Sequence, residues 1–259
     1  SADLPGIKQI PINHRLFHYA TRVHTPEYIS FIEDGFMKNA RAVDRGETPL
    51  LKDTFDVAHS SLCGALSVAQ AICIDKVRNG FAAIRPPGHH AGTSFSRGFC
   101  YFNNAAVCAR FVQAYQNLKR VLIIDFDVHP GDGTIQIFYD DPSVYVFSIH
   151  QRGIFSEAVG VATQRGRGMG EGFTKNVNVE KDATGKEYLP LFERELLQSF
   201  QWFKPEFVII SAGFDAHQAD PLGGIKLTTE DFGIMTKIIL QLAADHCAFG
   251  WLKCNEKHP

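Results

Sequence analysis

The sequence predicts a single α/β domain built on a central, mostly parallel sheet with helices on both faces. Three observations carry that expectation. Short continuous apolar runs, rich in β-branched residues, recur at Val121–Ile124, Val144–Ile149 and Phe207–Ser211, as expected of strands buried on both sides. Segments with helical periodicity alternate with them, at about Ala58–Val77, Asn104–Asn117 and Glu187–Phe203. No repeat, low-complexity tract or linker divides the 259 residues, so residues 1–259 read as one domain.

Along the chain, the N-terminal part is polar and mixed, with a short helix expected at Pro26–Phe36. In the segment Ala58–Val77, Leu62, Ala65, Leu66, Ala69, Ile72 and Cys73 share one helical face. Phe81–Ile84 is a short strand that runs into Arg85-Pro86-Pro87-Gly88. The strand Val144–Ile149 delivers His150 at its end, a glycine-rich loop spans 165–172, and Val177–Val179 is a further short strand. Thr228-Thr229-Glu230-Asp231 has the pattern of a capping box and opens a last helix to about His246. After Cys247 the sequence turns polar, and no strand is expected there.

Composition excludes several roles. Hydrophobic residues make up 45% of the chain, enough for a large core, and the formal net charge of −2 comes without any Lys/Arg run. Direct nucleic-acid binding is therefore not expected, and neither is membrane binding, since no apolar stretch reaches the length of a span. The six cysteines include no Cys-x-x-Cys pair and several lie in apolar context, so a reducing, cytoplasmic location is expected.

Chemistry concentrates where strands end. Asp125, Asp127 and His129 follow the apolar run at 121–124, two residues apart and so on one side of an extended chain. Pro130-Gly131-Asp132-Gly133 then starts a loop. A parallel sheet puts all its carboxyl ends on one edge, so the loops carrying His89-His90, Asp127 with His129, and Asp215 should share a rim. Two carboxylates and one imidazole suit a borderline cation such as zinc, with a position left for water. Each group has a plainer reading alone: Asp215 as a helix cap, His89-His90 as loop polarity, Asp132 as a turn residue, Phe99 as core. Tyr101 and Phe102 are read as core, and His14, His18, His24 and His59 as ordinary polar positions. His150 and His217 lie near the rim without an assigned role.

Four motifs together carry a family resemblance. Arg85-Pro-Pro-Gly-His-His-Ala91, Gly98-Phe-Cys-Tyr-Phe-Asn-Asn104, Asp125-Phe-Asp-Val-His-Pro-Gly-Asp-Gly-Thr134 and Ser211-Ala-Gly-Phe-Asp-Ala-His217 through Asp220-Pro-Leu-Gly223 resemble the zinc-dependent histone deacetylases. The likeness covers about residues 20 to 246 and is strongest to class II enzymes, bacterial deacetylase-like amidohydrolases and acetylpolyamine amidohydrolases. It implies an arginase/deacetylase-like three-layer α/β fold and a hydrolase that removes acyl groups from lysine side chains or acetylated polyamines. Hydroxamate-type inhibitors would bind.

Carried over to this sequence, the resemblance makes Asp127, His129 and Asp215 the ligands of one zinc ion per chain. His89 and His90 become the acid/base pair, oriented by Asp125 and Asp132. Gly98, Phe99, Phe155 and Leu222 would line a narrow acyl-lysine tunnel. A potassium site would draw on Asp125, Asp127, His129, Ser148 and Ile149, largely through backbone oxygens.

The chain also departs from the family. It has no Glu-Gly-Gly-Tyr motif for the oxyanion-donating tyrosine, no His-Pro-Glu pattern near the start, and Ser156-Glu-Ala-Val-Gly160 where Pro-Gly-Thr-Gly is usual. Glu47 is a candidate for the acidic rim residue. The domain is therefore expected to be incomplete at both ends, to lack a sheet strand, and to work weakly or serve as a silent acyl-lysine-binding module. An arginase-like ureohydrolase fits worse, because only one Asp-x-His pair leaves the strand.

Overall fold

The computed structural model describes residues 6–35, 42–43, 46, 48–155, 158–246 and, as backbone, 251–256. Six strands alternate with the helices: β1 Asn79–Ile84, β2 Val121–Asp125, β3 Val144–Gln151, β4 Thr174–Val179, β5 Phe207–Gly213 and β6 Trp251–Glu256. They form one sheet in the order β1-β6-β5-β2-β3-β4, and every neighbouring pair is parallel. The helices are α1 Pro26–Asp34, α2 Thr54–Cys73, α3 Asn104–Gln116, α4 Asp132–Phe138, α5 Gly185–Phe203 and α6 Thr229–His246, preceded by a 3-10 helix at His14–Arg22.

Strand alternation explains the three layers. Val121 and Ile123 of β2, with Phe207 and Ile209 of β5, pack with α2, α3 and the 3-10 helix. Leu122 and Ile124, with Val208 and Ile210, pack with α5 and α6. A strand buried on both faces has no polar side to display, which is why these runs read as unbroken apolar sequence. Tyr101 and Phe102 are core, as expected.

Local chemistry sets the helix ends. Thr25 caps α1, with Pro26 at its first position, and Thr184 with Glu187 forms a reciprocal capping box on α5. Before α6, Thr228 N donates to Asp231 Oδ2 at 2.8 Å while Asp231 N donates to Thr228 Oγ1 at 3.3 Å, the reciprocal pair read from sequence. α2 runs from Thr54 to Cys73 rather than 58–77, because Asp75 takes φ +54° and the helix cannot pass through that conformation. β1, β3 and β4 are longer than the apolar residues alone suggested, since backbone pairing extends past the hydrophobic run. His150 thus lies within β3 rather than after it. Phe36, at the end of the helix expected over Pro26–Phe36, lies outside the described residues.

Two expectations need correcting. The loop expected from Pro130 is only two residues long before α4 starts at Asp132. The absence of a strand after Cys247 is also overturned: β6 inserts between β1 and β5, Asn79 pairing with Trp251 and Val208 also with Trp251. The reason is topological. Without a strand there, β1 and β5 would each present unpaired backbone N–H and C=O groups in the middle of the sheet, so even a mixed-polarity segment gains a full ladder on both sides. Among the described residues no helix is long and apolar enough to cross a membrane.

Candidate active site

The carboxyl ends of β1, β2 and β5 bring the expected residues together. β2 ends at Asp125, so Asp127 and His129 sit on the turn beyond the strand and not on it. That turn is fixed by its own acids: Asp127 N donates to Asp125 Oδ1 at 3.1 Å, and His129 N donates to Asp127 Oδ1 at 2.8 Å. Val128 N donates to Asp215 Oδ1 at 2.8 Å, which ties the end of β5 to the same turn.

The result is a convergent donor set. His129 Nδ1 lies 3.0 Å from Asp127 Oδ1 and 3.0 Å from Asp215 Oδ2, and one ligand atom from each of the three residues falls within 4.8 Å of the others. Burial works against protonating His129, but hydrogen bonds to Asp127 and Asp215 outweigh it and push its pKa up to about 9. A divalent cation bound here would take the place of that shared proton, and two carboxylates with a neutral imidazole would then balance its charge. By geometry and charge this set fits zinc.

His89 and His90 stand beside it, their ring centroids 4.0 Å apart. His89 Nδ1 pairs with Asp125 Oδ2 at 2.9 Å, and His90 Nδ1 pairs with Asp132 Oδ1 at 2.6 Å. An ionised carboxylate can only accept, so each of these pairs favours the tautomer that carries the imidazole proton on Nδ1. His89 Nε2 lies 3.9 Å from Asp127 Oδ2, which aims it at the convergent set. Burial, then the neighbouring His89, lowers the His90 pKa to about 4 and keeps that ring neutral. Burial likewise pushes Asp125 up, against the pull of His89. For Asp132 burial also favours the neutral acid, but the His90 hydrogen bond and Arg97 outweigh it and hold the carboxyl below its ordinary value.

Two glycines are needed by this packing. A Cβ on Gly213 would stand 2.0 Å from Asp127 Oδ2, and one on Gly98 2.4 Å from His90 Cδ2. Gly98 also takes φ +52°, and the next residue, Phe99, takes φ +64°, a costly conformation for an aromatic residue. Phe99 N donates to the buried Thr48 Oγ1 at 3.1 Å.

Of the expected tunnel residues, Phe155 stacks on His90, with centroids 5.0 Å apart and planes 20° apart, and Gly98 abuts His90. Phe99, next in the chain to Gly98, is 38% exposed. Leu222 is 64% exposed in the turn before Gly223, which packs on the Asp215 backbone, so its tie to the pocket is through that turn. For the expected potassium ligands, the sheet register pairs Asp125 with Ser148, next to Ile149. Glu47, Ser156 and Glu157 lie outside the described residues.

Sequence reading missed several supporting residues. Arg97 Nη1 pairs with Asp132 Oδ2 at 2.6 Å and its guanidinium lies 5.4 Å from the Phe155 ring. Thr134 N donates to the His89 carbonyl at 3.0 Å, and Asn103 Nδ2 donates to the Ala91 carbonyl at 3.0 Å, bracing the histidine loop. His24, read as an ordinary polar residue, is buried: its Nδ1 bonds Gly92 O at 3.0 Å while Nε2 accepts from Asn103 N at 2.9 Å. His150 is buried between Ser148 Oγ and Gly160 O, at 2.8 Å from each. No spacing rule marks such contacts.

Fold and pocket together define a protein of the arginase/deacetylase class: a parallel sheet whose carboxyl edge gathers two acids, an imidazole and a carboxylate-oriented histidine pair. The histone deacetylase domain model matches residues 10–256, and the chain belongs to that family. It is 38% identical over 253 residues to the polyamine deacetylase HDAC10 of Rattus norvegicus, covering 92% of this chain and 42% of that protein. It is 36% identical over 225 residues to a probable deacetylase of Archaeoglobus fulgidus, covering 87% of this chain and 62% of that protein. Among solved structures, the acetylpolyamine aminohydrolase of Burkholderia pseudomallei superposes with a TM-score of 0.86 at 25% identity, over 95% of this chain and 79% of the other. The HD domain of HDA15 does so with a TM-score of 0.86 at 34% identity, over 97% and 70%. The chain thus spans about half of the curated relatives' length, from 42% to 62% in these two cases.

Proposed function

We propose that this chain is a zinc-dependent amidohydrolase that removes acetyl or related acyl groups from lysine side chains or from acetylated polyamines. The single observation that carries the reading is the placement of His89 Nε2 at 3.9 Å from Asp127, one of three donors that converge within 4.8 Å. Asp127, His129 and Asp215 would hold the zinc. When bound, such an ion supplies Lewis acidity, polarising an amide carbonyl and acidifying water.

The chain's own residues supply the rest. His90, kept neutral by burial and oriented by Asp132, takes the proton from the attacking water at Nε2. His89, oriented by Asp125, would stabilise the developing charge or protonate the leaving amine as the imidazolium, which carries a proton on Nε2 as well, and the proton taken up by His90 makes good the loss. Phe99 and Phe155, with Gly98 and Leu222, flank the passage for a slender aliphatic stem. The reading includes a potassium ion near Asp125, Asp127, His129, Ser148 and Ile149. The parallel register that sets Asp125 beside Ser148 supports it, since it brings part of that ligand set together.

A second reading is a silent acyl-lysine-binding module, since residues 1–259 hold no Glu-Gly-Gly-Tyr motif that would bring an oxyanion-donating tyrosine. Loss of one oxyanion donor typically lowers turnover by about 10²–10³ without removing it. The test measures turnover of acetyl-lysine peptide, acetylated polyamine and trifluoroacetyl-lysine peptide alongside binding of a hydroxamate. Turnover that disappears in His90→Ala supports the hydrolase. Hydroxamate binding with no turnover of any substrate supports the module.

A further inference from the structure

A second group of soft and borderline ligands lies away from the pocket. His59 and Cys63 are one helical turn apart on α2, and therefore on one face, while His14 opens the 3-10 helix that packs across that face. His14 Nδ1 and His59 Nδ1 stand 3.4 Å apart, Cys63 Sγ is 4.0 Å from His59 Nδ1, and one ligand atom from each residue lies within 4.8 Å of the others. Three donors around a tetrahedral zinc, at about 2.0–2.1 Å for nitrogen and about 2.3 Å for sulfur, stand roughly 3.3–3.6 Å from one another. The nitrogen pair already has that spacing, and the sulfur is a few tenths of an ångström beyond it from His59 and within 4.8 Å of the His14 nitrogen.

We propose that His14, His59 and Cys63 form a second metal site for a thiophilic divalent cation of the zinc class, with water as the fourth ligand. The surroundings suit it. His14 is exposed, which gives the ion and its water a way in, whereas Cys63 is wholly buried and closes the inner side. Burial, then the adjacent His14, lowers the pKa of His59, so its imidazole keeps a lone pair at neutral pH. Phe17 packs on His59 with centroids 4.3 Å apart, and edge-on against Phe55 and Phe102 at 5.6 and 5.4 Å, so the rings are held in place. A cation here would clip the 3-10 helix to α2.

Binding has a proton balance. Burial holds the Cys63 thiol at about 11, and a metal-bound sulfur is a thiolate, so each ion taken up releases one proton to solvent. Affinity therefore rises with pH.

The test is cobalt and zinc titration of the metal-stripped chain, and it does not depend on the proposed activity. We expect two equivalents of either ion, with a sulfur-to-cobalt charge-transfer band that persists in Asp215→Ala and vanishes in Cys63→Ser. His14→Gln, at an exposed position and so without a folding penalty, should also fall to one equivalent. A wild-type chain that saturates without the charge-transfer band, or His14→Gln and Cys63→Ser variants that keep two equivalents, would overturn the site. Failure of the catalytic zinc reading shows separately, as an Asp215→Ala variant whose metal content equals that of the parent.

Discussion

Gly213→Ala puts one methyl group where the fold has none to spare. Gly213 has an ordinary backbone conformation at the end of β5, so the change is steric alone. The new Cβ would stand 2.0 Å from Asp127 Oδ2, 2.5 Å from its Cγ and 2.6 Å from its Cβ. Non-bonded heavy atoms settle about 3.5 Å apart, so the Asp127 carboxylate must retreat by more than about 1 Å. Metal ligands tolerate roughly 0.2 Å, and a 1 Å misplacement at a reacting centre can cost about 10²-fold in rate. Overpacking of this kind typically costs about 1–3 kcal/mol, and in a chain of this size each kcal/mol moves Tm by about 2–4 °C. The expected phenotype is a modest Tm loss, one zinc equivalent fewer than in the parent, and deacetylation lowered by about two orders of magnitude. Gly233→Ala in α6 is the control, because a Cβ there meets nothing within 4 Å and alanine favours the helix by about 1 kcal/mol. Zinc content equal to the parent's by elemental analysis and undiminished turnover in Gly213→Ala would refute the assignment of Asp127 as a ligand.

Other expectations concern the supporting residues. Asp132→Asn replaces the ionised partner of His90 and should lower turnover by about 10–100-fold, measured as kcat. Arg97→Gln should cost less, under about tenfold, because the guanidinium is 43% exposed and its pull on Asp132 is screened by solvent. His24 is neutral in the fold, burial having lowered its pKa from 6.5 to about 4. Its contribution to stability is complete above pH about 6.5 and is lost as pH falls towards 4, because the unfolded chain takes up the proton first. Urea melts over that range should lose up to about 3 kcal/mol from this residue, and His24→Gln should flatten the slope. Equal slopes in both proteins would remove His24 as the source.

Much of this was legible in the sequence because a parallel sheet gathers its strand ends on one edge. Once Val121–Ile124 and Phe207–Ser211 are strands, Asp127, His129 and Asp215 must approach one another, and they do. The partners of His89 and His90, Asp125 and Asp132, came instead from the family resemblance. What stayed hidden depends on distance across the fold. Arg97 meets Asp132 from 35 residues away, and His24 meets Asn103 from 79 residues away, with no periodicity to mark either pair. β6 was missed for a related reason: its pairing answers the needs of β1 and β5, and its own sequence is half polar with no β-branched residue. The His14–His59–Cys63 group was also invisible, since only the packing of the 3-10 helix on α2 brings His14 within reach.

The most direct test of the central claim is a crystal structure of the zinc-loaded protein with diffraction recorded on both sides of the zinc absorption edge. The account predicts an anomalous peak about 2 Å from carboxylate oxygens of Asp127 and Asp215 and from His129 Nδ1, with His89 and His90 beside it. Anomalous density that avoids those three side chains in a fully loaded crystal would contradict it.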